Sequence, residues 1–115
     1  MAKFMFLMRG GCDEQPNMTP EQMDAGMKAW MDWMKEGQDA GWLLDPGSGL
    51  SQNGAVVQPD SSIVDGPFAE SKELVGGYSI VEAEDLAAAC ELAKKTMAIA
   101  GGGKIEVRPI ANMSG

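Results

Sequence analysis

The chain has 115 residues, of which 44% are hydrophobic and 23% are charged, so it has the length and composition of one globular domain, residues 1–115. Its net charge is -8, with 17 acidic and 9 basic residues, and such a surface repels phosphate backbones and argues against nucleic-acid binding. The chain contains no histidine, which excludes Ser-His-Asp and Cys-His nucleophile systems and every His-ligated metal site.

The sequence also limits the compartment and the cofactors. No apolar run approaches the roughly 20 residues that cross a bilayer, and the chain enters a strand directly after Met1 without a signal-peptide layout. We therefore expect a cytoplasmic protein that does not engage membranes. Cys12 and Cys90 are too few for a disulfide framework and are expected to be reduced thiols. We expect no cofactor and no metal, since no acidic loop has EF-hand spacing.

The first predicted element is a strand over residues 3–9. Its apolar side chains alternate between two faces, so other parts of the protein must cover both. Helices can cover one face, and a partner subunit is the economical cover for the second. The open alternative is one lightly exposed face. The first face carries Phe4, Phe6 and Met8, and the second carries Met5 and Leu7.

The first helix is predicted by Thr19 as the N-cap, Pro20 in the first turn and Gln22 in a capping box. Gly41 is the expected C-cap. One apolar stripe is expected to pack on the sheet, and a narrower face of small residues either admits another backbone or only weakens the helix. The stripe comprises Met23, Met27, Trp30, Met31 and Met34, and the narrower face comprises Gly26, Ala29, Trp33 and Gly37.

Turn signals divide the middle of the chain. Asn53-Gly54 precedes a predicted strand over residues 55–58, and Pro59-Asp60 turns it into an antiparallel partner over residues 62–64. A distinctive segment follows, with the sequence Asp65-Gly66-Pro67-Phe68-Ala69-Glu70. Gly76-Gly77 then leads into a predicted strand over residues 78–82.

The last third predicts a second helix that starts near Glu84, and then a strand over residues 104–110. The order β-α-β-β-α-β indicates an α+β fold, the ferredoxin-like split βαβ arrangement with an antiparallel sheet. Helices on one face leave the other open, so we expect two sheets to face each other in a homodimer. The helix is expected to bury Leu86, Ala89, Cys90, Ala93 and Met97, and the strand to turn Ile105, Val107 and Pro109 to the core and Lys104, Glu106 and Arg108 to water.

These elements resemble the YCII-related family, in its DGPF-domain branch. The resemblance covers nearly the whole chain and rests on the order and spacing of several segments rather than on one motif. They are the strand start at 3–5, Ala40-Gly41 at the helix end, Asp65-Gly66-Pro67-Phe68 with Ala69-Glu70, Gly76-Gly77-Tyr78, the acidic run at 82–85 and the closing Ile105-Glu106-Val107-Arg108-Pro109.

The resemblance implies a ferredoxin-like fold that dimerises as an α+β barrel, in a family with few established activities. Some relatives are enzymes that act on small aromatic or lactone-type compounds. A His-Asp pair has been suggested as the active site in the founding branch. Asp39 looks like that aspartate, whereas Gln22 stands near the expected histidine position.

Three carboxylates are candidate site residues, and each has a structural alternative. Asp65 is either a general base or a turn-fixing acceptor of backbone N–H bonds. Glu70 either lines a cleft with Asp65 or pairs with Lys72 at the surface. Asp39 is either the second catalytic carboxylate or a solvated helix residue.

Four further residues are candidates for ligand binding. Arg9 ends the first strand, where it could neutralise Asp65 or an anionic ligand, or could be solvated. Phe68 is either a pocket wall or a core anchor. Trp42 and Tyr78 either form an aromatic wall or serve core and interface packing.

Two functions follow from these residues. In the first, the protein binds or transforms a small aromatic or lactone-like molecule, possibly anionic, in a pocket near Asp65. In the second it is a non-catalytic dimeric interaction module, because domains of this branch resemble ones found beside sigma-type transcription regulators. A buried Asp65 in a closed pocket favours the first, and an exposed Asp65 without a cavity favours the second.

Overall fold

The computed structural model describes residues 1–10, 19–51, 53–66, 74–100 and 102–111. Its main sheet has the strand order β2-β5-β1-β6, and every neighbouring pair is antiparallel. No helix in these residues is long and apolar enough to cross a membrane. The elements are β1 (Ala2–Arg9), α1 (Pro20–Ala40), β2 (Leu43–Asp45), β3 (Gly54–Val57), β4 (Ile63–Gly66), β5 (Val75–Ala83), α2 (Leu86–Ala100) and β6 (Lys104–Pro109).

The helices and the strands of the main sheet follow the order β-α-β-β-α-β, but the first of the two middle strands is β2, which was not predicted as a strand. The predicted strands β3 and β4 lie outside this sheet. The α+β class and the antiparallel sheet are confirmed. β1 is central, so that Phe4 faces Val81 of β5 and Pro109 of β6. Phe4 and Phe6 are buried under the helices, whereas Met5 on the opposite face is half-buried.

The start and end of α1 are formed as predicted. Thr19 Oγ1 accepts the Gln22 backbone N–H at 3.1 Å, and Gln22 Oε1 accepts the Thr19 backbone N–H at 2.9 Å. At the other end Gly41 adopts φ 87°, and its N–H donates to the carbonyls of Gly37 and Gln38. This left-handed conformation favours glycine, so Gly41 is the C-cap.

The face of α1 that packs on the sheet differs from the prediction. Met23, Met27 and Met31 are 55%, 65% and 61% exposed, so most of the predicted stripe points away from the core. The buried positions are Trp33 and Gly37 on the narrower face. A β-carbon at Gly37 would lie 2.7 Å from Leu43 Cβ, which shows how closely β2 approaches the helix. Close packing, and not the number of apolar side chains, therefore determines which face of α1 is buried.

α2 also differs in detail from the prediction. It begins at Leu86, two residues later than expected, and the Asp85 side chain accepts the Ala88 backbone N–H at 2.8 Å. Leu86, the first residue of the helix, is 48% exposed and not buried as predicted. Of the predicted stripe, Ala89 and Ala93 are buried and Cys90 and Met97 are half-buried; Thr96 is buried as well.

β6 covers residues 104–109 and carries one polar residue that is less exposed than expected. Glu106 is half-buried, and its carboxylate pairs with Arg9 on the neighbouring strand β1. Pro109 is exposed at the end of the strand, whereas Ile105 and Val107 pack against the core as predicted.

The predicted hairpin in the middle of the chain is confirmed. β3 and β4 form a separate two-stranded sheet, in which Val57 pairs with Ile63 and Ala55 pairs with Asp65. Its turn is closed by the Gln58 N–H donating to the Ser62 carbonyl at 2.8 Å. Among the described elements, these two strands make no more than marginal contact with anything but each other.

Candidate functional site

A cavity of about 500 Å³ opens beside the C-terminal end of β1, between the helices and the sheet. Its volume lies within the roughly 300–1,000 Å³ that small-molecule sites occupy. Among the described residues, its walls are an apolar side, a glycine-rich side and a basic end. They comprise Met8, Arg9, Gly10, Trp30, Trp33, Met34, Pro46, Gly47, Ser48, Gly49, Gly76, Gly77, Tyr78, Ser79, Ala100, Gly102, Lys104 and Ile105.

The apolar side is built by α1. Trp30 and Trp33 meet edge to face with ring centroids 5.4 Å apart. The indole N–H of Trp33 donates to Thr96 Oγ1 at 3.0 Å, and the Thr96 hydroxyl donates to the Leu92 carbonyl at 3.0 Å. Trp33 is therefore held in place from α2, and it in turn orients the half-buried Trp30 at the cavity wall.

The glycine-rich side arises because the loop after β2 lies directly on β5. A β-carbon at Gly47 would overlap the Tyr78 carbonyl, and Gly47 adopts φ 74°, so this position requires glycine. Asp45 Oδ1 accepts the Gly47 backbone N–H at 2.8 Å and fixes the turn. The Ser79 hydroxyl donates to the Pro46 carbonyl at 2.8 Å. This side of the cavity is therefore backbone held in a fixed shape.

The basic end is formed by Arg9 and Lys104, which are directly opposite each other on β1 and β6. Like charges in such a pair repel. Glu106 offsets the repulsion, since its Oε1 lies 2.7 Å from Arg9 Nη1. Arg108 Nε lies 3.7 Å from the other oxygen of Glu106, and it does not line the cavity. In a chain of net charge -8, the charged residues of the described lining are both basic.

Two of the predicted site residues, Arg9 and Tyr78, line this cavity. Arg9 pairs with Glu106, whereas the sequence suggested Asp65 or an anionic ligand as its counter-charge. Tyr78 faces Leu7 in the sheet, so strand alternation directs its ring to the face away from the helices, and its backbone borders the cavity. Arg9 follows Leu7 by two residues, and its side chain meets Glu106, the residue opposite Leu7 on β6, so alternation directs Arg9 to that face as well. The structure thus brings these two residues to one end of the sheet, on the face away from the helices.

The other predicted residues lie elsewhere. Trp42 packs edge to face on Trp33 with centroids 5.6 Å apart and borders a smaller cavity of about 270 Å³. Asp65 is exposed on β4 and Asp39 is exposed near the end of α1, and neither lines either cavity. Phe68 and Glu70 lie outside the described residues.

Several lining residues were not among the predicted site residues, and they include Trp30, Gly47, Ser79 and Lys104. Trp30 was assigned to the helix stripe, and Lys104 to the water-facing side of a strand. For two of them the sequence contains a signal that could have indicated a site. Ser79 and Lys104 lie close to Gly77 and Gly103, and a glycine there marks an end or a bulge of a strand.

The described residues contain no cluster of three or more Cys, Asp or Glu side chains placed to bind a metal ion. The chemistry that the cavity offers is therefore an apolar aromatic wall, fixed backbone polar groups and two cations. Such a surface complements a small molecule with an apolar body and a negative end.

The comparisons with known proteins agree with the fold. A search of curated proteins found no match. The model of the YCII-related domain matches residues 2–114, which is almost the whole chain. With its β-α-β-β-α-β order and antiparallel sheet, the chain belongs to the YCII-related domain family.

Proposed function

We propose that this protein binds a small molecule with an aromatic or lactone-like body and an anionic group in the cavity beside Arg9. One observation carries the proposal: the cavity has a tryptophan wall, and the charged residues of its described lining are basic although the chain is strongly acidic. An acidic protein that places cations at a cavity gains local attraction for an anion.

Each part of the cavity has a role in this proposal. Trp30 packs against the apolar body of the ligand, and Trp33 keeps Trp30 in position. Arg9 binds the anionic group at the end of the sheet, beside the opening of the cavity, because a guanidinium has five N–H donors and can serve Glu106 and a ligand carboxylate together. Lys104 adds a second positive charge from the neighbouring strand.

A catalytic role for Asp65 and Asp39 stays a prediction. A general base must come within hydrogen-bond reach of the proton that it removes, and both carboxylates are exposed and outside the described lining. The roles of Phe68 and Glu70 as ligand contacts stay proposals too. The observation above supports binding, and it does not require a chemical step.

We propose that the chain belongs to the DGPF-domain branch of its family, on the segment Asp65-Gly66-Pro67-Phe68 and its order and spacing relative to the later segments. We further propose a homodimer in which the open faces of two sheets meet as an α+β barrel. Support comes from apolar residues on the face of the sheet away from the helices, which are half-buried or, for Leu44, 44% exposed. They are Met5, Leu7, Leu44, Tyr78 and Ile80.

Ligand binding is tested by titrating the tryptophan fluorescence with benzoate, with neutral benzamide and with a carboxylate-bearing unsaturated lactone. We expect the anionic compounds to bind at least ten-fold more tightly than benzamide. The variant Arg9→Met should remove that preference. Arg108→Met is the matched control, because it takes a cation from the same Glu106 but is 69% exposed and outside the cavity. Equal affinities for benzoate and benzamide would contradict the proposal.

The second candidate is a non-catalytic interaction module. The observation in its favour is the β3–β4 hairpin, where Val57 and Ile63 are 68% and 70% exposed and whose strands make no more than marginal contact with the other described elements. Under this function the compounds above leave the fluorescence and the melting temperature unchanged. The variant Val57→Lys would then abolish binding to a partner without changing the stability of the sheet.

A further inference from the structure

We infer that α1 pairs antiparallel with α1 of a second copy of this chain, through the row Met23, Met27 and Met31. This row, the methionine stripe, follows four-residue spacing along one face of the helix. The inference does not depend on the cavity or its ligand, and it adds an interface to the sheet-to-sheet dimer proposed above.

The methionine stripe is apolar and open to solvent. The exposed fractions of Met23, Met27 and Met31 are 55%, 65% and 61%. They form one continuous patch, because residues four apart are neighbours on a helix surface. Methionine is flexible and is over-represented at binding surfaces. A patch of this kind on one side of a 21-residue helix is typical of a surface that another helix covers.

The charges beside the stripe specify a second copy as the occupant. Glu21, Asp24, Lys28 and Lys35 lie about 60–120° round the helix from Met27, all on the same side of it. All four are exposed. Within the described part of the chain, their side chains make no ion pair or hydrogen bond. The N-terminal half of this flank is therefore acidic. The C-terminal half carries the two lysines and, near the end of the helix, Asp39, so its net charge is positive.

An antiparallel pair centred on Met27 brings these opposite charges together. Asp24 lies about 4.5 Å before Met27 along the helix axis and Lys28 about 1.5 Å after it. When the second helix is reversed, its Lys28 comes within about 3 Å of the axial height of Asp24 on the first helix. Glu21 and Lys35 match in the same way, at about 9 and 12 Å.

Other arrangements lose this match. In a parallel pair the charged flank of each helix would face the opposite flank of the other helix, where Gly26, Trp30, Trp33 and Gly37 offer no charge. A two-fold axis through Met27 repeats every favourable contact twice, as closed dimers do. Helix α1 lies on the covered face of the sheet, so this interface leaves the open face available.

Disulfide trapping tests the arrangement directly. In a Cys12→Ser, Cys90→Ser background, Met27→Cys places one thiol on the proposed two-fold axis. Packed helices lie about 8–10 Å apart, which brings two facing Cα atoms into the range of a disulfide. Asp32→Cys is the matched control, because residue 32 is exposed on the same helix but about 140° away from Met27.

We expect Met27→Cys to form covalent dimers at least ten-fold faster than Asp32→Cys at micromolar protein under mild oxidation. Equal rates for the two variants would overturn the inference. That result would leave the fluorescence titration of the cavity unaffected, so the two proposals fail separately.

The charge match is tested in the same background. Asp24→Lys and Lys28→Asp should each slow cross-linking of Met27→Cys several-fold, because each creates a like-charged contact. The double exchange should restore the original rate, since the contact is again between opposite charges. A double variant that is as slow as the single ones would contradict the antiparallel pairing.

Discussion

The sheet with its two helices and the β3–β4 hairpin are held together in different ways. In the former, Phe6 and Val81 are completely buried, and strands pair with partners far along the chain. In the hairpin, Val57 and Ile63 face solvent, and the two strands pair across one short turn. The hairpin therefore rests on local turn geometry, whereas the sheet and helices rest on burial. We expect substitutions in the two regions to differ accordingly.

The largest effect is expected for Trp33→Ala. Trp33 is 5% exposed and contacts Trp30 and Trp42, and its indole N–H binds Thr96. Truncating a buried aromatic side chain lowers the free energy of unfolding by about 3–5 kcal/mol. Chemical denaturation followed by circular dichroism measures this loss.

The comparison is with Ile63→Ala, since Ile63 is 70% exposed in the hairpin. We expect this change to alter the free energy of unfolding by less than about 0.5 kcal/mol. If both variants lost the same stability, the hairpin would have to be part of the cooperative core, contrary to its described contacts.

The next effect separates two glycines of the same helix. A β-carbon at Gly37 would lie 2.7 Å from Leu43 Cβ and 2.9 Å from Trp42 Cη2, whereas a β-carbon at Gly26 would meet nothing within 4 Å. Gly37→Ala is therefore expected to destabilise the protein by about 1–2 kcal/mol through overpacking. Gly26→Ala should stabilise it by up to about 1 kcal/mol, because alanine favours the helix. Thermal unfolding of both variants gives the sign of each change in stability. If Gly37→Ala were stabilising, β2 would have to move to accommodate the added β-carbon.

The smallest effect is local to the hairpin turn and depends on pH. The Ser62 hydroxyl and then the Ser62 backbone N–H donate to Asp60 Oδ1, at 2.6 and 2.9 Å, and hold the pKa of Asp60 below its ordinary value of 3.8. The folded turn therefore binds the proton less readily than the unfolded chain does. Its stabilisation is present above pH 3.8 and is lost as the pH falls through the lowered pKa.

The chemical shift of the Ser62 amide should accordingly titrate with a midpoint below 3.8. The variant Asp60→Asn provides the baseline, because it keeps an acceptor that does not titrate. A midpoint at or above that value would mean that the two hydrogen bonds do not persist in solution.

Local signals were sufficient to predict much of the fold. The capping box at Thr19 and Gln22, the C-cap at Gly41 and the turn at Pro59-Asp60 each act within a few residues, so their chemistry can be read directly from the sequence. Together with the strand periodicities they led to the β-α-β-β-α-β order, but β2 was missed and the hairpin was counted in its place. The two helix faces depended on partners elsewhere in the chain, and there the predictions were partly wrong.

The buried face of α1 shows why. The number of apolar residues favours the predicted stripe of five residues. In the structure, however, Trp33 donates a hydrogen bond to Thr96, and Gly37 allows Trp42 and Leu43 to approach the helix closely. Neither the partner nor the fit can be seen in the periodicity of one helix. The cavity raises the same problem, because Trp30, Gly47 and Lys104 meet only when three separate segments assemble.

The central place of β1 has a consequence for how the chain folds. Phe4 at the start of the chain pairs with Val81 and Pro109, so both neighbours of β1 come from its last third. Bringing these distant strands together costs loop-closure entropy before β1 gains any contact. We expect docking of β1 to limit the folding rate. A circular permutant that connects residue 111 to residue 1 and opens the β3–β4 turn would make β6 and β1 a local hairpin, and should therefore fold faster.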